Sequence, residues 1–210
     1  MVNREEILSS LQQLPGVELS VVMPDYCVIY DDKFGKISQF NFNISSEQLA
    51  SKIHISDSAQ KHAPMDKTKL AEYLINNVDE HAFLTLEELY IVADESDYER
   101  LAGEYQDPSV LDFFESKERG VMWFDHNVCI VDVKNIIERC KITETSNLEF
   151  RIKRRIIGVI IHELRHLMLD TTLVLPEDKY PRILGHEYRV DDYAFDVTDS
   201  SVDDWMPIFH

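Results

Sequence analysis

The stretch Arg154–Asp170, RRIIGVIIHELRHLMLD, decides how this sequence is interpreted. Most of it is apolar, but His162, Glu163 and His166 interrupt the run with groups that can bind a metal or move a proton. The two histidines fall on a narrow stripe opposite the apolar one, where burial is costly unless something satisfies them. The apolar residues recur at helical spacing, at positions 152, 156, 157, 160, 161, 164, 167 and 168, and predict a helix over 147–169.

The spacing of these polar residues is what a metal site on a helix needs. His162 and His166 are one turn apart on the same face, where both imidazoles can reach one ion at about 2.0–2.1 Å. Glu163 is rotated by about 100° from His162, which favours contact with a metal-bound water over ligation. The H-E-x-x-H pattern therefore predicts a zinc site with Glu163 as catalytic base. The alternative is a core helix with two hydrogen-bonded histidines and a surface glutamate.

A catalytic zinc ion usually has three protein ligands and one open position, so a third ligand is expected elsewhere. Asp170 lies eight residues from His162, about 12 Å along the helix, and one ion cannot bridge that distance. Glu177 and Asp178 in the following proline-containing loop, and His126 near a predicted strand, remain open as candidates.

The strongest candidate for the third ligand is Glu187, in the stretch 185–196. Asp191, one turn further on the same predicted helix face, can accept a hydrogen bond from the free ring nitrogen of a ligating histidine. Ala194 also shares this face, and its small side chain allows two helices to approach closely. His186 points away from the face and ranks below Glu187 as a ligand.

The two motifs together resemble the gluzincin class of zinc metallopeptidases, the thermolysin-like group. HExxH at 162–166 is followed, after twenty intervening residues, by ExxxD at 187–191. The stretch 187–194 is also similar to the ExxAD/NxxA segment of small intracellular bacterial peptidases, including the type that cleaves phage repressors. The resemblance covers roughly residues 147–196. It implies zinc ligands His162, His166 and Glu187, a general base Glu163, and a supporting carboxylate Asp191.

The resemblance further implies a substrate-binding edge strand and a side chain that stabilises the transition state. Either VMWF at 121–124 or VCIVDV at 128–133 can be the edge strand, which would pair with an extended peptide through main-chain hydrogen bonds. An interior position in the sheet is an equal alternative for these strands. The donor in this class is typically His or Tyr, and the candidates are Tyr180, His186, Tyr188 and Tyr193.

The rest of the chain predicts an α+β fold, which the resemblance makes zincin-like: a small mixed or antiparallel sheet, a long active-site helix and additional helices. Short β-rich runs at 17–23 and 26–30, with alternation at 37–44, predict a hairpin over 26–44. A short helix follows the second strand, through about Arg139. Other helices are predicted at 4–14, 46–53, 67–78, 85–93, 96–105, 108–117 and 183–196.

We expect two regions that form one compact unit. Residues 1–120 are an N-terminal α/β region of unknown role, with the hairpin followed by acidic helices. Residues 121–210 are the zincin-like catalytic region, with the edge strands, the HExxH helix, the third-ligand helix and an acidic tail.

Composition limits the partners. Thirty-nine acidic residues against 21 basic ones give a net charge of −18, which disfavours nucleic acid and anionic membranes. The compact basic cluster Arg151, Lys153, Arg154 and Arg155 is too small for a nucleic-acid site, and we interpret it as a solvated helix face. Three cysteines without CxxC spacing predict buried, reduced thiols. With no membrane-length apolar run and an acidic N-terminus, we expect a soluble cytoplasmic protein.

The sequence thus predicts a zinc-dependent metallopeptidase, endopeptidase-like, acting on a peptide or protein. The alternative is a non-catalytic zincin-like protein whose metal is structural and whose acidic surface binds a basic protein partner. The two differ in the metal site, because a structural zinc ion has four protein ligands and no open position.

Overall fold

Two β-sheets and a set of helices make up the part of the chain that the computed structural model describes. That part is residues 8–9, 12, 17–22, 26–31, 36–41, 44–78, 83, 86–143, 146–171 and 193–210. The class is α+β, as predicted.

The first sheet is an antiparallel meander of three strands. Strand β1 (Val17–Val22) pairs with β2 (Tyr26–Asp31), and β2 pairs with β3 (Lys36–Asn41). The predicted hairpin is therefore confirmed, with one further strand before it. A register shift between Leu19 and Val21 marks an irregularity in the outer pair.

The second sheet has four strands in the order β4-β5-β7-β6. Strands β4 (Ile53–Ile55), β5 (Glu88–Val92) and β7 (Val128–Asp132) are parallel, and β6 (Gly120–Trp123) runs antiparallel to β7 at one edge. Every residue of β7 is buried, as expected for a parallel strand with both faces covered. The 121–124 run thus supplies the edge strand, and the 128–133 run is interior.

The helices begin where the sequence offers caps. Ser45 and Gln48 form a capping box at the first of them, and Asp66 accepts hydrogen bonds from the amides of Thr68 and Lys69 at the third. The helices are α1 (Ser46–Lys52), α2 (Asp57–His62), α3 (Lys67–Asn77), α4 (Glu95–Tyr105), α5 (Val110–Ser116), α6 (Val133–Thr143), α7 (Leu148–Thr171), α8 (193–200) and α9 (Val202–Trp205).

One predicted helix is wrong. Residues 85–93 have acids at helical spacing, but the segment contains β5, which pairs with β4 and β7 in the middle of the sheet. Leu89, Tyr90, Ile91 and Val92 are all buried, and two-sided burial of a β-branched and aromatic run favours a strand. The short strand β4 and helix α2 were not predicted, because each is too short to establish a period.

The last ten residues, predicted as part of an acidic tail, also contribute to the core. Trp205, Ile208 and Phe209 are buried in the main core, and Phe209 forms a β-bridge with Met65. The acids of this segment are exposed while its large apolar side chains point inward. The predicted helix over 183–196 is described only from residue 193, and it extends to residue 200.

The main core unites elements from both predicted regions. The pairing of β5 with β7 crosses residue 120, and one cluster of buried side chains runs from Leu49 to Phe209. Cys27, Cys129 and Cys140 are buried and are not joined in disulfide bonds, as predicted. None of the described helices is long and apolar enough to cross a membrane.

Candidate functional site

Helix α7 carries the HExxH residues across one face of the sheet. Its apolar stripe, which includes Ile156, Ile160 and Leu164, is fully buried in the core. The helix contacts both β6 and β7, so the edge strand lies directly beside it. The opposite stripe, predicted to hold the histidines, faces a groove.

The three polar residues converge at one point of this groove. His162 Nε2 and His166 Nε2 are 3.1 Å apart, and their rings meet edge to face with centroids 4.8 Å apart. One ligand atom each from His162, Glu163 and His166 lies within 4.8 Å of the other two. Within the part of the chain that the structure describes, no other three His, Cys, Asp or Glu side chains come together in this way.

The donor set fits a metal ion. Two nitrogens bound tetrahedrally at about 2.0–2.1 Å stand about 3.3 Å apart, close to the 3.1 Å between His162 Nε2 and His166 Nε2. Both nitrogens can present lone pairs to the same point when neither carries a proton. The group can therefore bind a metal ion, and imidazole with carboxylate suits several divalent metals.

Glu163 is buried between helix α7 and the sheet, with 6% of its surface exposed. A Cβ placed on Gly120 would stand 2.7 Å from Glu163 Oε1 and 2.6 Å from Val159 Cγ1, so only glycine leaves room there. Burial, together with the negative charge of Glu163, raises the pKa of the Cys129 thiol on β7. The carboxylate therefore lies against the start of the edge strand, close enough to the neighbouring strand to act on the Cys129 thiol.

The groove has a volume of about 630 Å³, large enough for several residues of a peptide. Its walls are the edge strand with Gly120, Val121 and Met122, then α5, α7 and α8. Three phenylalanine side chains line it, and two of them are well exposed: Phe124 at 44% and Phe195 at 39%. Phe124 lies beside His166, with ring centroids 6.4 Å apart.

Helix α8 forms one wall by packing antiparallel to α7. The Arg165 guanidinium lies 4.8 Å from the Tyr193 ring centroid, while further along Arg154 binds the Asp199 carboxylate with two hydrogen bonds of 2.6 and 2.8 Å. Gly158 lies opposite Thr198 in the middle of this contact. The residue at 194 is buried and lines the groove, in keeping with the small side chain that the sequence analysis singled out there.

The structure describes only some of the predicted site residues. His162, Glu163 and His166 come together. Tyr193 packs against the main core and stacks on Arg165, and its role as donor stays a prediction. The remaining candidates lie outside the described residues: Glu177, Asp178, Tyr180, His186, Glu187, Tyr188 and Asp191.

His126, left open as a ligand, has different neighbours. Its Nε2 is 3.1 Å from an Asp107 carboxylate oxygen, and its ring contacts Tyr105 and Trp123. It is not one of the three side chains that converge on α7.

Gly120, Arg154 and Arg155 were not identified from the sequence as residues of the groove. Residue 120 enters the sequence analysis only as the end of the N-terminal region, although Gly120 makes space for Glu163. Arg154 and Arg155 were interpreted as part of a solvated face, but both are half-buried and line the groove. Arg155 lies seven residues before His162, a spacing that places both on one helix face and could have signalled this.

A second cavity, of about 760 Å³, lies where the parallel strands β4 and β5 end. There Asp97 Oδ2 accepts hydrogen bonds from the hydroxyls of Ser56 and Ser58 and from the amides of Ala93 and Asp94. Burial acts to raise the pKa of Asp97, but these hydrogen bonds hold it below its usual value.

The neighbouring strand β7 ends in a similar way. Asp132 is 1% exposed, accepts a hydrogen bond from the Tyr98 hydroxyl, and caps α6 through the amide of Asn135. Asp97 and Asp132, the buried carboxylates at this end of the sheet, therefore both accept hydrogen bonds from the protein itself.

Comparison with known proteins adds no assignment. No protein-family model, curated protein or solved structure matches this chain.

Proposed function

We propose that this protein is a zinc-dependent metallopeptidase with a zincin-like architecture. The observation that carries the proposal is the convergence of His162 Nε2, His166 Nε2 and the buried Glu163 carboxylate at one groove. Side chains with this chemistry, two of them buried, in a groove with volume for several residues of a peptide, favour a hydrolytic site over a purely structural one.

His162 and His166 would hold the metal ion, and Glu187 is the proposed third protein ligand with Asp191 supporting a histidine. The antiparallel packing of α8 on α7 supports this choice, because Tyr193, the first described residue of α8, lies beside Arg165 in the turn that carries the histidines. A divalent metal ion bound there would supply Lewis-acid chemistry for activating a water and polarising a carbonyl.

Glu163 would act as general base and then general acid. Its carboxylate takes a proton from the attacking water as the new C–O bond forms at the peptide carbonyl. It passes that proton to the amide nitrogen as the C–N bond breaks, so the products are a carboxylic acid and an amine. The fit of Glu163 against Gly120 supports this role, because it restricts where the carboxylate can go.

The edge strand β6 would bind the substrate main chain. Among the described residues β6 pairs on one side only, with β7, and its first three residues line the groove. An extended peptide can add to such an edge through main-chain hydrogen bonds, which give affinity without strict sequence requirements.

The test measures zinc content and peptide cleavage in the wild type, Glu163→Gln and Glu99→Gln. Glu99 is exposed on α4 and matches the change in charge away from the groove. We expect one zinc per chain in all three proteins, and a loss of cleavage in Glu163→Gln alone. Full cleavage by Glu163→Gln would refute the base assignment, and a wild type without stoichiometric metal would refute the proposal.

A second measurement tests the rival function, a non-catalytic protein that has a structural metal site and binds a basic protein partner. Cobalt substitution reports the coordination by its visible absorption, and added water-competing anions perturb that spectrum only when a coordination position is open. An unresponsive, closed site without cleavage would favour the rival.

A further inference from the structure

Arg155 is a half-buried cation on the wall of the groove. Its neighbours in the sequence are engaged, since Arg154 binds Asp199 and Lys153 pairs with Glu149. The Arg155 guanidinium lies 5.7 Å from the centroid of the Phe195 ring, and among the described residues no carboxylate forms a salt bridge with it. A guanidinium that packs on an aromatic ring, with its N–H groups in a groove, is positioned to bind an anion.

The position of Arg155 relates it to the metal site. Seven residues separate it from His162, which corresponds to about 10.5 Å along helix α7 and about 20° around it. An extended peptide advances about 3.3 Å per residue, so three residues span about the same distance. A peptide lying along the groove with one peptide bond at Glu163 therefore has a residue near Arg155.

The other charges of the groove do not cancel this cation. Arg119 lies on the facing wall, before the edge strand, and adds a second positive charge. The acids Asp112 and Glu118 also line the groove, but like Arg119 they are exposed, so water and salt screen all three charges more than the half-buried Arg155. The overall charge of −18 repels anions at a distance, which leaves contact with the guanidinium as the attractive interaction.

We propose that the groove selects peptides that carry a carboxylate about three residues from the bond that is cut, with Arg155 as the residue that binds it. The planar fork of arginine matches a carboxylate with two parallel hydrogen bonds. The carboxylate is either an Asp or Glu side chain or the carboxyl end of the peptide. This inference rests on the proposed function and names its substrate class.

The test measures peptide binding to the zinc-loaded full chain carrying Glu163→Gln, by fluorescence anisotropy. The probes are a short neutral peptide with both ends blocked, a series with one Glu moved along it, the matched Gln series, and the neutral peptide with a free carboxyl end. We expect one Glu position to lower the Kd by about tenfold relative to Gln. A comparable gain from the free carboxyl end alone would identify the terminus as the source.

Variants assign the effect to Arg155. Adding Arg155→Gln should remove the Glu preference, while Arg151→Gln, the same charge change at an exposed position of α7, should keep it. Arg155→Lys retains the charge without the fork and should reduce the preference several-fold. Equal Kd values for the Glu and Gln series, or an undiminished preference in Arg155→Gln, would overturn the proposal. If Arg155→Gln does not fold, the Arg155→Lys comparison decides.

Failure of this inference and failure of the proposed function have different signatures. Cleavage of Glu and Gln peptides by the wild type with equal kcat/KM would refute the carboxylate preference and leave the peptidase intact. Arg155-dependent binding of acidic peptides, with no cleavage of any of them by the wild type, would refute the peptidase and leave the binding site.

Discussion

Carboxylates are buried at two places on the four-stranded sheet, and their surroundings differ. At the ends of the parallel strands, Asp97 accepts hydrogen bonds from two serine hydroxyls and two backbone amides. Beside the edge strand, Glu163 lies within 4.8 Å of two imidazole nitrogens that converge on a groove. Both places adjoin cavities of similar volume, about 760 and 630 Å³, so cavity size does not distinguish them.

The difference lies in how the polar groups are arranged. A buried polar group must be satisfied, and a network that is complete within the protein contributes stability. Metal-ligating side chains that converge from one helix on a groove are instead typical of functional sites. We therefore expect substitutions at the strand ends to change stability, and substitutions at the groove to change binding and reaction.

The largest expected effect is on metal affinity. His162→Ala removes one of the two converging imidazoles, and zinc affinity measured by competition with a chelator should fall at least about a hundredfold, since loss of an outer-shell partner alone costs up to that. His54→Ala, at a partly exposed histidine that pairs with Glu88, is the control and should bind zinc normally. Normal zinc affinity in His162→Ala would show that the converging imidazoles of the groove do not bind the metal.

The next effect is on stability at the strand ends. Asp97→Ala leaves four buried or half-buried donors without their acceptor, so the free energy of unfolding in urea should fall by about 3 kcal/mol. Zinc affinity should not change. Glu99→Ala, on the exposed side of the same helix, should cost well under 1 kcal/mol. A stable Asp97→Ala protein with altered metal binding would reverse the assignment of the two regions.

Gly120→Ala should separate the reaction from metal binding. The added methyl group would overlap Glu163 and Val159, so the carboxylate must move by a few tenths of an ångström or more. We expect kcat for peptide cleavage to fall about 10- to 100-fold while zinc content stays at the wild-type level. Gly103→Ala is the control, because nothing lies within 4 Å of a Cβ there. Unchanged kcat would show that Gly120 does not position Glu163.

The smallest effect is a pH dependence at the strand ends. Burial raises the pKa of Asp132 from its usual 3.8 to about 6, so the folded protein binds this proton more tightly than the unfolded chain. Its contribution to stability is full below about pH 4 and is lost as the pH rises to about 6.

Urea unfolding at pH 4.5 and pH 7, about either end of that window, measures this contribution. Asp132→Asn should abolish it, on the order of 1–2 kcal/mol, without changing zinc affinity at pH 7. If the wild type and Asp132→Asn lose stability equally between the two pH values, the Asp132 carboxyl is not held protonated by burial.

Local periodicity predicted most of the fold and the three side chains that converge on helix α7. The hairpin, helices α1 and α3 to α5, and the histidine face of α7 follow from patterns within each segment. Strand β5 does not, because its acids imitate helical spacing and only its burial between β4 and β7 makes it a strand. The fit of Gly120 against Glu163 joins residues distant in sequence, and no single-segment pattern reports such a contact.

The last ten residues have a consequence for the order of folding. The Tyr73 hydroxyl contacts the Ser201 hydroxyl, and Lys69 donates to the Pro207 carbonyl, joining positions 128 and 138 residues apart. Closing such long loops is entropically costly, so these contacts should form late in folding, and α8 completes the groove next to them. During refolding, helix content should therefore recover before cobalt binding does. Simultaneous recovery of the two signals would show that the metal site forms independently of these long-range contacts.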